Sequence, residues 1–293
     1  MAPRQIPRRL AVPLVLAGFA LAALAAPAQA TVFGPQAGHS PNADDIRTAY
    51  WVAIAAAAIL VGAIHVFLVV ALLRFRARRG RVPRRLVAAP GALTRPALPL
   101  AAVTIGLFVF GIVMASDARD VQPTGSAGLD AQSTLVAQVG SMNVPPDAKP
   151  LEIDAIGQRW LWRFEYPSGS PEPPAEVFSY NELVVPVDTA VLLHVQSTDV
   201  LHRWFIPALG GQVDAIPGQV NDTWFRADRV GTYGGQSTEF SGTSYAVMRA
   251  WVRVVTPEQY QQFVERKRTE IKAAQTYVQR KIQTQAAAAA PVP

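Results

Sequence analysis

Gly235-Gln236-Ser237-Thr238-Glu239-Phe240-Ser241-Gly242-Thr243-Ser244-Tyr245-Ala246-Val247-Met248 reads as a loop inside a β-rich region. Short β-branched and aromatic runs separated by turn residues surround it, at residues 151–156, 160–166, 183–187, 190–195, 220–226 and 246–255. That rhythm predicts an antiparallel sandwich or barrel over residues 151–256.

Beyond this domain, Thr256-Pro257-Glu258-Gln259 is a capping box with proline at the first helical position. It predicts a helix over 257–285. Val264, Ile271 and Val278 recur at seven-residue intervals among charges, a narrow stripe suited to lying against a partner or the parent domain. The alanine-rich tail 286–293 is expected to be disordered.

Upstream, residues 118–150 are rich in Pro, Gly, Ser and Ala and read as a linker. Before it stand two apolar runs, 51–73 and 98–115. The first has 23 residues and spans ~35 Å as a helix, against a hydrocarbon core of ~30 Å. His65 lies within it and is expected to face a partner helix. Between the runs, in the loop 74–95, come Arg74, Arg76, Arg78, Arg79, Arg81, Arg84 and Arg85, which mark the cytoplasmic side. A transmembrane hairpin over 49–117 therefore sends both of its ends outward. At the N-terminus, Arg4, Arg8 and Arg9, an apolar stretch and Ala28-Gln29-Ala30 form a signal peptide over 1–30, with cleavage before Thr31. An uncleaved anchor is the competing reading. Residues 31–48 make a short exported N-terminal segment.

Composition narrows the chemistry. The chain has 293 residues, half of them hydrophobic, and no cysteine. Disulfides, Fe–S clusters, thiolate metal sites and a lipidated cysteine are thereby excluded. The net charge of +6 is unevenly spread: residues 118–256 hold nine Arg/Lys and fifteen Asp/Glu, a balance of −6. The basic residues sit at membrane flanks and along one helix, so nucleic-acid binding is not expected.

Three ordered segments resemble subunit II of haem–copper respiratory oxidases, the cytochrome c oxidase subunit II family. Gly157-Gln158-Arg159-Trp160-Leu161-Trp162-Arg163-Phe164-Glu165-Tyr166 is similar to its aromatic strand, G-x-Q-W-Y-W-x-Y-E-Y. Asp199-Val200-Leu201-His202-Arg203-Trp204-Phe205-Ile206-Pro207 is similar to D-V-x-H-x-F-x-V-P and leads into Gly210-Gly211-Gln212-Val213-Asp214-Ala215-Ile216-Pro217-Gly218. The loop at 235–248 is similar to G-Q-C-x-E-x-C-G-x-x-H-x-x-M, which in that family holds the binuclear copper centre CuA. The resemblance covers about residues 45–265. It implies a membrane-anchored all-β protein: a two-helix hairpin, a cupredoxin-like β-barrel and a C-terminal helix.

The resemblance also assigns the site. The positions that would ligate CuA are His202, Ser237, Glu239, Ser241, Tyr245 and Met248, with serine at both cysteine positions and tyrosine at one histidine position. Thiolates are soft and bridge two copper ions, whereas a serine hydroxyl is hard and stays protonated near neutral pH. No cofactor is expected on this chain. His202 is then a hydrogen-bonded barrel histidine, Met248 a core residue, and Asp199 and Asp214 structural acceptors. Trp160 matches an electron-accepting tryptophan, but without copper it reads as core or interface; Trp162 stands with it on the aromatic strand. Glu239 matches a ligand of an interfacial Mg²⁺ or Mn²⁺; a solvated loop carboxylate is the other reading. Residues 88–99 hold no acid, unlike relatives whose glutamate there serves a proton channel.

The lost ligands resemble the cytochrome bo-type quinol oxidases. The expected function is therefore a structural subunit II of a bacterial terminal oxidase that reduces O₂ to water. Haems and CuB would sit in subunit I, and quinol would be the donor. The retained His202 and Glu239 look closer to cytochrome c oxidases, so a cytochrome c oxidase with rerouted electron entry is the alternative. A stand-alone exported copper-handling cupredoxin is the rival of another class. The expected location is the bacterial inner membrane, multi-pass, with the β-domain periplasmic or extracellular.

Overall fold

The computed structural model describes residues 34–74, 94–129, 150–167 and 177–289. The expected signal peptide, most of the basic loop, the later part of the linker and the last four residues lie outside the described residues.

Helix α1 spans Pro41–Arg74 and α2 spans Thr94–Asp117. Both are long and apolar enough to cross a membrane. Their apolar side chains face outward, with Ile59 at 75% and Leu98 at 72% exposure, so water would be a poor solvent for them. His65 is exposed on α1, and its Nδ1 lies 2.7 Å from the Val61 carbonyl oxygen. Helix α1 starts ten residues before the apolar run that predicted it. Pro41 suits a first helical position, Asp44 suits the first turn, and the Ser40 carbonyl accepts the Ala43 and Asp44 N–H groups at 3.1 Å. This polar start belongs to the β-domain: Asn42 and Ala43 are buried, and Asn42 Nδ2 donates to the Trp224 carbonyl.

The β-domain has ten strands: β1 (Leu151–Gln158), β2 (Leu161–Tyr166), β3 (Val177–Tyr180), β4 (Glu182–Pro186), β5 (Ala190–Ser197), β6 (His202–Phe205), β7 (Gln212–Ala215), β8 (Asn221–Arg226), β9 (Gly231–Gln236) and β10 (Arg249–Val255). They form a five-stranded sheet β3-β2-β1-β5-β8, a three-stranded sheet β4-β10-β9 and the ribbon β6-β7. The result is a cupredoxin-like sandwich. The expectation of a purely antiparallel domain is corrected, because β1 pairs with β5 and β4 with β10 in parallel. Crossovers between the two sheets place these strands side by side in the same direction.

Alternation explains the core. Strand β2 reads Leu-Trp-Arg-Phe-Glu-Tyr, and its second, fourth and sixth residues are buried. Trp162 and Phe164 meet Ile153, Leu193, Val195, Leu183 and Val252 in one cluster. Burying a side chain of that size contributes ~2–3 kcal/mol. Tyr166 ends the strand with its hydroxyl accepting the Val184 N–H at 2.8 Å, and burial pushes that hydroxyl up to about 12.

Two further boundaries moved. Residues 118–129, expected as linker, are strapped to the outer face of the large sheet. Val121 is buried with Ala190, Leu192 and Trp224, and Trp224 Nε1 donates to the Ala118 carbonyl at 3.0 Å. Helix α3 runs Pro257–Ala289, past the expected end at 285, and alanine, the best helix former, occupies those added positions. Its capping box closes as read, with Gln259 N–H to Thr256 Oγ1 at 3.4 Å and Thr256 N–H to Gln259 Oε1 at 3.2 Å. Tyr260 and Phe263 pack under Tyr166, whereas Tyr277, Val278 and Ile282 are exposed.

Candidate functional site: a metal-loop frame lined with hydroxyls

The loop leaves β9 at Gln236 and returns to β10 at Arg249. Its base is closed by the Ser237 N–H donating to the Met248 carbonyl at 2.9 Å. Residues 246–248, expected to open the last strand, instead form a 3₁₀ turn over Tyr245–Val247, because the Tyr245 and Val247 N–H groups bond back to Gly242 and Ser244. Two glycines fix the frame. A Cβ on Gly235 would sit 2.0 Å from the Phe205 carbonyl oxygen, so only glycine lets β9 cross β6 here. Gly242 has φ +113, under the Trp160 ring.

His202 is fully buried at the start of β6. Its Nε2 lies 2.9 Å from Asp199 Oδ1. A carboxylate only accepts, so Nε2 carries the hydrogen and the lone pair of the neutral ring falls on Nδ1. That Nδ1 is buried and has no hydrogen-bond partner among the described residues. Asp199 also accepts the Arg159 N–H (2.9 Å), the Arg159 Nε–H (3.1 Å) and the Val200 N–H (2.7 Å). Burial would raise the Asp199 carboxyl, but these donors outweigh it and hold the group well below the usual carboxylate range.

Ser237 and Ser241 are 2% and 7% exposed, so both serines occupy interior positions. Ser237 Oγ accepts the Arg203 N–H at 3.3 Å. The Ser241 carbonyl accepts Trp160 Nε1–H at 3.2 Å, while its Oγ is buried without a partner. Met248 is fully buried in the main core cluster. Tyr245 turns outward instead: it is 37% exposed and meets the exposed Phe240 ring edge-on at 5.2 Å. Trp160 is half-buried against the loop. Trp162 is a core residue, edge-on to His202 at 6.3 Å and to Trp204 at 5.3 Å.

Sequence reading missed Arg203. Its guanidinium bonds Asp214 and reaches Glu239 Oε2 at 3.3 Å, joining the two acids singled out separately. The available signal was a cation between acidic motif positions. Glu239 is thus an ion-paired loop carboxylate.

The donor set offers one imidazole nitrogen, one thioether and two hydroxyls. It does not fit a dithiolate-bridged copper pair, which needs two soft anionic sulfurs. Among the described residues no group of three or more His, Asp or Glu is placed to hold a metal ion.

Residues 175–255 match the family described as "Cytochrome C oxidase subunit II, periplasmic domain". The chain belongs to the cytochrome c oxidase subunit II family. It is 31% identical to cytochrome c oxidase subunit 2 of Cereibacter sphaeroides over 46% of this chain and 57% of that protein. It is 36% identical to the Zea mays subunit 2 over 39% and 52%, and 33% identical to a quinol oxidase subunit 2 of Bacillus spizizenii over 42% and 37%. It thus spans about half the length of the first two of these relatives and less of the third. The solved periplasmic domain of subunit II of cytochrome oxidase from Bradyrhizobium japonicum is 33% identical, with a TM-score of 0.37, covering 41% of this chain and 95% of that one.

Proposed function

We propose that this chain is the subunit II of a bacterial haem–copper terminal oxidase, that it carries no CuA, and that quinol supplies the electrons. The observation that supports this is the pair Ser237 and Ser241. Both sit buried in a loop whose glycines and methionine are kept, yet neither can act as a bridging thiolate. A subunit without a relay on the β-domain suits a donor that arrives through the membrane. The enzyme as a whole would reduce O₂ to water, taking four electrons and four protons per O₂, at haems and CuB of the partner subunit I.

In this reading the chain anchors subunit I through the hairpin and closes its outer face with the sandwich. It lies in the bacterial cytoplasmic membrane as a multi-pass protein, with the β-domain outside. Glu239 would reach a Mg²⁺ or Mn²⁺ ion at the subunit boundary only by exchanging its Arg203 partner for the ion.

The −6 balance of residues 118–256 favours a second reading, in which a cationic cytochrome c docks and electrons enter through another haem-bearing subunit. The test is O₂ uptake by the complex purified from membranes. With quinol, uptake should be rapid and insensitive to salt. Rapid, salt-sensitive turnover on reduced cytochrome c, with none on quinol, would overturn the quinol assignment. Failure of a haem-bearing polytopic subunit to co-purify would overturn the oxidase assignment.

A further inference from the structure

Strand β9 ends the sheet β4-β10-β9, and two hydrogen bonds fix which of its backbone groups point off the sheet. Trp251 N–H donates to the Asn181 carbonyl at 2.9 Å, so Trp251 turns its backbone towards β4. Ser237 N–H donates to the Met248 carbonyl at 2.9 Å, so Ser237 turns its backbone towards β10. Backbone direction alternates along a strand. Gly235 and Tyr233 therefore bond to β10, opposite Ala250 and Val252. The N–H and C=O groups of Thr232, Gly234 and Gln236 point the other way. All three residues are exposed. Among the described residues no strand pairs with this edge, and no other backbone bond reaches it.

Native edges are usually blocked by a charge, a proline or a covering element. The opposite edge strand, β4, packs against α3. Strand β9 carries neither charge nor proline, and Gly234 leaves room for a second backbone. A groove of about 350 Å³ runs beside it, lined by Phe205, Pro207, Gly234, Gln236, Arg249 and Trp251. The Trp251 indole leans over Gly234, with Nε1 3.7 Å from where a Cβ would stand. Arg163, Arg203, Arg226 and Arg253 each pair with an acid. The remaining strand arginine, Arg249, is exposed and pairs with no acid among the described residues.

We propose that this edge binds an extended segment of another polypeptide as an added strand, antiparallel to β9 and carrying a carboxylate opposite Gln236. The residues facing Thr232, Gly234 and Gln236 each exchange both of their backbone bonds. Their side chains point to the same side as those of their β9 partners, the side of Arg249 and Trp251. Arg249 lies opposite Gln236, so it is two strand spacings, about 10 Å, from the residue added beyond Gln236. An arginine and a glutamate side chain together span that gap and form a charge-assisted pair. Trp251 lies opposite Gly234, so the added residue facing Gly234 meets the indole and is apolar. Read from its N-terminal end, the recognised pattern is acid-x-apolar. A small anion would meet Arg249 but leave the row of backbone groups unmatched. A second copy pairing through its own β9, Gly-Thr-Tyr-Gly-Gly-Gln, brings no acid.

The probe is the peptide acetyl-Glu-Thr-Val-Thr-Val, extended by a fluorescein-bearing lysine. It is titrated with the full-length chain in detergent and read by fluorescence anisotropy. One control peptide has lysine in place of glutamate, and a second is N-methylated at both valines, which removes N–H groups that would face β9. Each control should bind about tenfold more weakly. Arg249→Glu should reverse the charge preference, so that the lysine peptide binds more tightly than the glutamate peptide. Gly234→Pro removes one N–H from the edge and should weaken the parent peptide about tenfold in protein that keeps its circular dichroism. No binding at about 1 mM peptide would overturn the proposal. So would equal binding of the N-methylated peptide, or a charge preference unchanged in Arg249→Glu. A wild-type dimer that Gly234→Pro turns into a monomer would show that a second copy fills the edge, and would also overturn it.

Discussion

Four N–H donors converge on the Asp199 carboxylate, and one of them is the ring of His202. Asp199→Asn would turn an amide towards some of these donors and leave them unmatched. It should destabilise the domain by ~2 kcal/mol in urea unfolding. Because the folded carboxyl titrates below its unfolded value, the stabilisation is complete above about pH 4 and disappears as pH falls through the lower folded value. His194 shows the opposite sign. Glu152, at 4.0 Å, and Asp222, at 2.8 Å, push its imidazole up to about 9 against the lowering effect of burial. Its contribution is therefore full below about pH 6.5 and is lost as pH rises towards 9. Thermal melts of the wild type should lose stability over that interval, and His194→Gln should flatten the loss. A third test concerns the loop. The triple substitution Ser237→Cys, Ser241→Cys, Tyr245→His should give intense visible thiolate-to-copper absorption on adding copper, while the wild type stays colourless. A folded triple variant without colour would show that the loop is no longer a metal frame.

Elements hold together through contacts that differ in depth. Helix α3 docks through its first turns, where Phe263 is 3% exposed and Tyr166 lies 5.5 Å from its ring. Phe263→Ala should cost about 3 kcal/mol. Amide exchange over 257–265 should then quicken while that of β1 and β5 stays slow. Ending the chain after residue 273 should change unfolding by less than ~0.5 kcal/mol, since the removed turns are solvent-exposed and their surface ion pairs contribute little. The same contrast governs which strands were readable. Strands β1 and β2 alternate, β5 opens on a continuous apolar run, and β8 carries the Trp224-Phe225 pair, so their runs stand out. Strand β9 reads Gly-Thr-Tyr-Gly-Gly-Gln, a composition that opposes strand formation; it forms because β10 pairs with it and Gly235 must pass the Phe205 carbonyl. Strands β6 and β7 are four residues each, too short for periodicity to register.

At the scale of the whole molecule, the amino-acid order alone settled what depends on composition and local pattern. Two runs are apolar enough to cross a bilayer, no thiolate exists anywhere in the chain, and ordered motifs carry the family resemblance. These are properties of residues wherever they end up. Pairings across the chain were decided by the tertiary structure. Asn42 meets Trp224 across 182 positions, Trp224 meets Ala118 across 106, and Arg203 joins Asp214 and Glu239 into one ion-paired group. Ser237 and Ser241 were visible as replacements, but only the fold shows both turned inward and Tyr245 turned out to solvent. The physical reason is that burial and hydrogen-bond satisfaction depend on what surrounds a group in space. A carboxylate next to one donor or four, or an amide oxygen with a partner or none, is the same letter in the sequence and a different chemical group in the folded protein.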